Sequence, residues 1–134
     1  MKVFLDTNVL ASALATRGLC AELFESVLTG HELLASRELL TELRRILTTK
    51  LRIDVETADA FIALIEANAR IPPTPADLPK GIPNPDDAPL IASALAGGAE
   101  CFVTGDKALL ELGDVADMPV LSPRRFWEWT RLGQ

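Results

Sequence analysis

The 134-residue chain has few of the residues that several common kinds of site require. It contains one histidine and two cysteines. His31 follows Gly30 in a predicted turn, so a Ser-His-Asp or Cys-His catalytic system would lack a well-placed base. Cys20 and Cys101 lie far apart without C-x-x-C spacing, and we predict that both are buried structural thiols.

Long apolar runs and positive charge are also scarce. The apolar stretches are broken by charges or glycine well short of the ~20 residues that a membrane span needs. Met1-Lys2 leads directly into a predicted strand and leaves no room for a signal peptide, so we expect a cytoplasmic protein. The net charge of −6 argues against a protein that holds nucleic acid by charge alone. A nuclease stays possible, because metal ions in an acidic pocket can meet phosphate.

Apolar residues make up 49% of the chain, which suits one domain over residues 1–134. Short apolar runs alternate with stretches of helical periodicity, and Ser36 and Asp54 are predicted helix caps. This alternation predicts an α/β fold, a three-layer α/β/α sandwich around a mostly parallel sheet. The predicted strands are 3–5, 33–35, 101–104 and 120–121, with a brief one at 70–71; the predicted helices are 7–16, 18–28, 37–48, 55–68, 86 or 87 to 96, 107–112 and 123–132.

Two of the apolar strands are each followed by a carboxylate. Asp6 follows the first strand, and Asp106 follows the strand that begins at Cys101. In open α/β sheets the carboxyl ends of the strands are where sites form. Asp87 opens a helix, where the backbone dipole favours an anion. Glu42 lies on a helix one turn beyond Glu38, and either glutamate can reach the same edge.

Four carboxylates at one edge suit a divalent cation. Hard oxygen ligands hold Mg²⁺ or Mn²⁺, which retain several waters. Such a site activates water and stabilises the leaving oxygen of a phosphodiester. The residues therefore favour metal-dependent phosphodiester hydrolysis.

The segments around these acids resemble the motifs of the PIN-domain ribonucleases. Four segments carry the resemblance in the family's order: Phe4-Leu5-Asp6-Thr7-Asn8-Val9-Leu10, Leu39-Leu40-Thr41-Glu42-Leu43, Asp87-Ala88-Pro89-Leu90-Ile91-Ala92-Ser93-Ala94 and Val103-Thr104-Gly105-Asp106-Lys107-Ala108-Leu109-Leu110. The resemblance covers essentially the whole chain. It is closest to the toxins of bacterial type II toxin–antitoxin pairs.

This resemblance implies an Mg²⁺- or Mn²⁺-dependent endoribonuclease with a PIN-like fold. It implies an RNA substrate, an antitoxin protein that fills the acidic groove, and a homodimer. The implied catalytic metal ligands are Asp6, Glu42, Asp87 and Asp106, and the groups that hold them or the water are Asn8 and Thr104.

The sequence alone leaves the roles of some charged residues open. The subgroup with a doubled acid often carries a further Asp where this chain has Asn84, so Asp86 is either an additional ligand or a helix cap. Arg44 and Arg45 belong to the densest basic stretch, and Lys107 follows Asp106 in the chain. All three are candidate contacts to RNA, although the sequence favours a solvated surface position for each of them.

Two other functions compete with the nuclease. A haloacid-dehalogenase-like phosphatase would use Asp6 as its nucleophile, but it needs an acid two residues on, where this chain has Asn8. A catalytically silent module that binds RNA or protein is the other alternative. Against it, burying four carboxylates without a metal is destabilising.

Overall fold

The computed structural model describes residues 1–132, with the backbone alone at Leu132. A π-helical segment, Ile46–Lys50, extends the third helix, and a 3₁₀ turn, Pro85–Asp87, precedes the fifth. The strands are β1 (Lys2–Leu5), β2 (Glu32–Leu34), β3 (Cys101–Val103), β4 (Asp114–Val115) and β5 (Met118–Leu121), and the helices are α1 (Thr7–Ala15), α2 (Leu19–Gly30), α3 (Arg37–Arg45), α4 (Val55–Asn68), α5 (Ala88–Ala96), α6 (Lys107–Leu110) and α7 (Pro123–Leu132).

The strands form one sheet in the order β2-β1-β3-β5-β4. Neighbours from β2 to β5 are parallel, and β4 pairs antiparallel with β5. The predicted mostly parallel α/β sheet is therefore confirmed. Because the parallel strands point the same way, the carboxyl ends of β1 and β3 lie side by side at one edge, with Leu5 opposite Val103.

Strand β4 was not predicted from the sequence. It is joined to β5 by Ala116 and Asp117, both with positive φ (48° and 68°), as in a type I′ hairpin turn. Such turns usually carry Asn-Gly or Asp-Gly, so this hairpin lacks the usual sequence signal. The brief strand predicted at 70–71 is reduced to an isolated bridge between Leu34 and Arg70.

The core lies on both faces of the central strands. Strand β3 is fully buried, as are Val3, Phe4 and Leu5 of β1. The rings of Phe4 and Phe102, paired across β1 and β3, stack with centroids 5.1 Å apart. Cys101 is buried as predicted, whereas Cys20 is only half-buried. Within residues 1–132 no helix combines the length and apolarity needed to cross a membrane.

Both predicted caps are confirmed. Ser36 Oγ accepts the backbone N–H of Leu39 at 3.1 Å and begins α3. Asp54 accepts the backbone N–H of Thr57 at 3.1 Å and begins α4. These local hydrogen bonds satisfy orphan donors in the first turn, which is why the helix starts could be found from sequence.

The C-terminal end of α3 differs from the prediction of a regular helix to residue 48. The π-helical turn begins directly after Arg45. The hydroxyls of Thr48 and Thr49 donate back to the carbonyls of Arg44 and Arg45. Such side-chain hydrogen bonds compete with the regular backbone hydrogen bonds of an α-helix, and here they accompany the wider π-helical turn.

Replacing Ser36 with Ala tests how firmly α3 is anchored. Ser36 is fully buried, so its loss leaves the N–H of Leu39 without a partner. We expect the free energy of unfolding to fall by about 1–2 kcal/mol, measured by urea denaturation. Ser26→Ala, in the middle of α2, is the control and should change stability by less than about 0.5 kcal/mol. Equal effects at the two positions would contradict the role of the cap.

Candidate functional site

The Asp6 carboxylate is fixed at the end of β1. Asp6 is 4% exposed, and its Oδ1 accepts the backbone N–H of Thr7 at 2.8 Å. Its Oδ2 accepts the hydroxyl of Thr104 at 2.7 Å and Nδ2 of Asn8 at 3.3 Å. Asp6 thus caps α1 while its carboxylate lies at the carboxyl edge of the sheet. Asp6 can therefore cap α1 and contribute a carboxylate oxygen to a site at this edge.

Thr104 and Asn8 tie the end of β3 to the end of β1. Thr104 is fully buried, and its hydroxyl accepts the backbone N–H of Asp106 at 3.0 Å. Asn8 Nδ2 also lies 3.4 Å from that hydroxyl, while Asn8 Oδ1 accepts the backbone N–H of Gly105 at 2.9 Å. The structure therefore brings Asp6, Asn8, Thr104 and Asp106 together. The Gly105 N–H was missed from sequence, because a backbone donor has no side-chain signature.

Asp106 begins α6. Its Oδ1 accepts the backbone N–H of Ala108 at 2.8 Å, so the short helix and the carboxylate position depend on each other. The residue is half-buried. Like Asp6, Asp106 is a strand-end residue and helix cap whose side chain remains at the sheet edge.

The charges of Asp87 and Glu42 act on those of Asp6 and Asp106. Burial raises the pKa of Asp87 to about 6, with further contributions, largest first, from the carboxylates of Asp6, Asp106, Glu42 and Asp86. Burial is also the main cause that raises the pKa of Asp6, and Glu42 and Asp106 add to it. Hydrogen bonds from Thr104 and Thr7 partly offset that rise. Asp87 therefore lies within reach of the negative charges of the other three predicted acids, and Asp6 within reach of Glu42 and Asp106.

The donor set fits a divalent cation, although the side chains do not form a ready chelate. Among residues 1–132, no three carboxylate, imidazole or thiol side chains lie close enough together to hold one ion directly. Mg²⁺, however, is usually held by one or two carboxylates and keeps several waters. A cation would also offset the mutual repulsion that raises the pKa of Asp87. Asp6, Glu42, Asp87 and Asp106 are the residues that could hold it.

The raised pKa of Asp87 predicts a pH-dependent stability of the metal-free protein. The folded state binds this proton more tightly than the unfolded chain, whose Asp pKa is about 4. The stabilisation is therefore present below pH ~4 and is lost as the pH rises through about 6. We expect Asp87→Asn to be more stable than wild type at pH 7 by roughly 1 kcal/mol, discounted for solvent screening, or about 3–5 °C in Tm.

Thermal denaturation in chelator at pH 4.5 and pH 7 checks this. The difference between the variant and wild type should shrink at the lower pH. Asp77→Asn, an exposed acid among the prolines of residues 72–85, is the control. A variant that is less stable than wild type at pH 7 would contradict the account.

Asp86 does not cap the helix, so that alternative is wrong. Asn84 Oδ1 accepts the backbone N–H of Asp86 at 3.0 Å and caps the 3₁₀ turn, while Asp87 makes no side-chain cap bond. The side chain of Asn84 satisfies the backbone N–H two residues further on, as asparagine commonly does in turns. The carboxylate of Asp86 is therefore not used as a cap. Glu38, the alternative to Glu42, accepts the hydroxyl of Thr74 at 2.8 Å.

The basic candidates separate in space. Arg44 is paired with Asp59 of α4 at 2.7 Å. Lys107 is exposed at the first position of α6, directly after Asp106. Arg45 instead lines a groove of about 530 Å³ beside Glu42. This Glu42 groove is formed by Arg37, Glu38, Thr41, Glu42, Arg45 and Asp86.

The lone histidine lies at the opposite edge of the sheet. His31 directly precedes β2, whose first residue pairs with Lys2 at the start of β1. Its ring contacts Phe126 edge-on, with centroids 5.9 Å apart. The acids lie beyond the other ends of these strands, so His31 is not placed to serve as their base.

Comparison with known proteins identifies the family of the chain. The family model described as PIN domain matches residues 2–108. The chain belongs to the PIN-domain family. The match includes all four candidate carboxylates of this PIN domain, and members of the family are nucleases that generally use divalent metal ions.

The fold is also shared with a solved structure. One similar structure is the crystal structure of VapBC2 from Rickettsia felis bound to a DNA fragment from the VapBC2 promoter. A chain of that structure matches this chain with a TM-score of 0.65 and 17% sequence identity. The match covers 91% of this chain and 98% of that chain. At this identity the likeness shows the PIN-like fold. No curated protein sequence matches the chain.

Proposed function

We propose that this PIN domain is a metal-dependent endoribonuclease. The observation that carries the proposal is that Asp6 and Asp106 meet at the carboxyl edge of the sheet, where burial, with added repulsion from Asp6, Asp106 and Glu42, raises the pKa of Asp87 to about 6. Clusters that raise a carboxyl pKa in this way are typical of functional sites. The motif resemblance supports RNA as the substrate.

The divalent ion, when bound, activates water and stabilises charge on the leaving oxygen. The chain's own residues prepare the site. Thr104 and Asn8 hold one oxygen of Asp6 in a single orientation. The hydroxyl of Thr104 also fixes the backbone before Asp106. Asp87 must lose its proton to bind a cation, so cleavage should rise with pH through about 6.

Cleavage of a labelled, mixed-sequence RNA by the purified protein tests the proposal. Mg²⁺ and Mn²⁺ are titrated separately, and a DNA of the same sequence is the parallel substrate. We expect internal cleavage of the RNA that requires either metal and stops with a chelator. Intact RNA across several sequences, with no metal-induced rise in Tm, would overturn the enzyme and favour the silent binding module. Release of phosphate from a small phosphomonoester would instead favour the phosphatase alternative.

We further propose that the nuclease acts in the cytoplasm as the toxin of a type II toxin–antitoxin pair. The resemblance to toxin motifs and the fold shared with VapBC2 support this role. It implies an antitoxin that covers the acidic site, and a homodimer. Induced expression in a bacterial host should stop growth, whereas expression of Asp6→Asn should not. Unimpaired growth with an enzyme that cleaves RNA in vitro would remove the toxin role and keep the nuclease.

A further inference from the structure

The four carboxylates pose a problem for an RNA substrate. A phosphodiester chain is anionic, and the protein carries a net charge of −6. A bound cation neutralises the charge at the reacting phosphate, but the neighbouring phosphates of the strand still meet an acidic surface. A basic side chain beside the acids would offset that repulsion.

The Glu42 groove contains two basic side chains, from Arg37 and Arg45. Arg37 is paired with Glu66 at 2.8 Å, and Arg44 outside the groove is paired with Asp59. Within residues 1–132, Arg45 forms no ion pair with a carboxylate. It therefore needs to break no ion pair to bind an incoming anion.

Arg45 lies three residues after Glu42 on α3, so the two side chains share a helix face. Both line the same groove, together with Asp86 and Thr41. Arg45 is also exposed, and a groove of about 530 Å³ is large enough for a nucleotide. A guanidinium in this position can form a bidentate contact with a phosphate group.

We propose that Arg45 binds a phosphate of the RNA strand next to the scissile bond, and that the Glu42 groove is the path by which the strand leaves the acidic site on that side. This inference rests on the proposed nuclease function. It assigns to Arg45 a role in holding substrate, with no part in the chemical step. It also separates Arg45 from its neighbour Arg44, which the sequence could not do.

The test compares Arg45→Ala with Arg44→Ala in RNA cleavage. Both residues are exposed near the end of α3, and Ala favours the helix, so both variants should fold. We expect Arg45→Ala to raise KM by about tenfold with kcat little changed, because the lost contact binds the RNA equally well in the ground state and in the transition state. Arg44→Ala should keep the wild-type KM. Arg45→Lys should recover part of the loss, since it keeps the charge without the bidentate geometry.

Binding of the same RNA to the Asp6→Asn protein, by fluorescence anisotropy at several salt concentrations, gives a second readout without cleavage. Adding Arg45→Ala should reduce the slope of log affinity against log salt by about 0.7, the value for one single-strand phosphate contact. Equal KM values and equal salt slopes for the two arginine variants would overturn the role of Arg45 while leaving the nuclease intact. Absence of cleavage by the wild type would instead show that the proposed function itself has failed.

Discussion

Asp6→Asn is expected to lower kcat for RNA cleavage by at least about 10³-fold, because a metal ion contributes several kcal/mol of transition-state stabilisation. Asn keeps the shape of the side chain, and its carbonyl oxygen can still accept the N–H of Thr7. It removes the negative charge and one ligand oxygen. The variant should therefore fold and fail to bind metal.

Stability separates this effect from unfolding. The pKa of Asp6 is raised mainly by burial, so the charged form is costly in the metal-free protein. Asp6→Asn removes that charge but replaces the oxygen that accepts from Thr104 and Asn8 with a donor, so the variant should melt close to the wild-type temperature in chelator. Asp77→Asn is the matched control and should cleave at the wild-type rate. An Asp6→Asn protein that keeps more than about a tenth of the wild-type kcat would contradict a ligand role for Asp6.

Thr104→Val is expected to lower both stability and cleavage. Valine preserves the shape of this fully buried residue but lacks its hydroxyl, which donates to Asp6 and accepts from Asp106. A buried N–H and a carboxylate oxygen each lose a partner, which costs about 1–3 kcal/mol of unfolding free energy. Loss of a group that orients a metal ligand typically lowers activity about 10–100-fold.

The same substitution should shift the pH profile. The hydrogen bond from Thr104 lowers the pKa of Asp6, so its loss raises that pKa further. The cation site needs Asp6 as well as Asp87 ionised, so the rise of cleavage with pH should move to higher pH in Thr104→Val. Thr104→Ser keeps the hydroxyl and should restore the wild-type pH profile, even if the missing methyl group costs some stability. A profile that is identical in Thr104→Val and wild type would show that the hydroxyl has only a structural role.

The order of strands and helices could be predicted from sequence because its signals are local. Ser36 and Asp54 each satisfy a donor three residues on, and the apolar periods mark the buried faces. The β4–β5 hairpin was missed because Ala116 and Asp117 do not carry the expected turn residues. The π-helical turn after Arg45 was missed because apolar periodicity does not distinguish it from a regular helix, and the threonine hydrogen bonds that accompany it are seen only in the structure.

The positions of two candidate acids were predictable for a related reason. Asp6 and Asp106 follow strands that are read directly from apolar runs, and parallel pairing then brings their ends together. Side-chain direction was not predictable in the same way. Arg44 and Arg45 are adjacent and chemically identical, and only the position of Asp59 on α4 shows which one is already paired.

We propose that Asp6, Glu42, Asp87 and Asp106 of this PIN domain form one divalent-ion site, each contributing directly or through a bound water. Mn²⁺ binding, followed by electron paramagnetic resonance, tests it most directly, since the readout does not depend on finding the right RNA. The claim predicts saturable binding that each of Asp6→Asn, Glu42→Gln, Asp87→Asn and Asp106→Asn weakens by at least about tenfold, while Asp77→Asn leaves it unchanged. Binding that is absent from the wild type, or that survives all four substitutions, would contradict it.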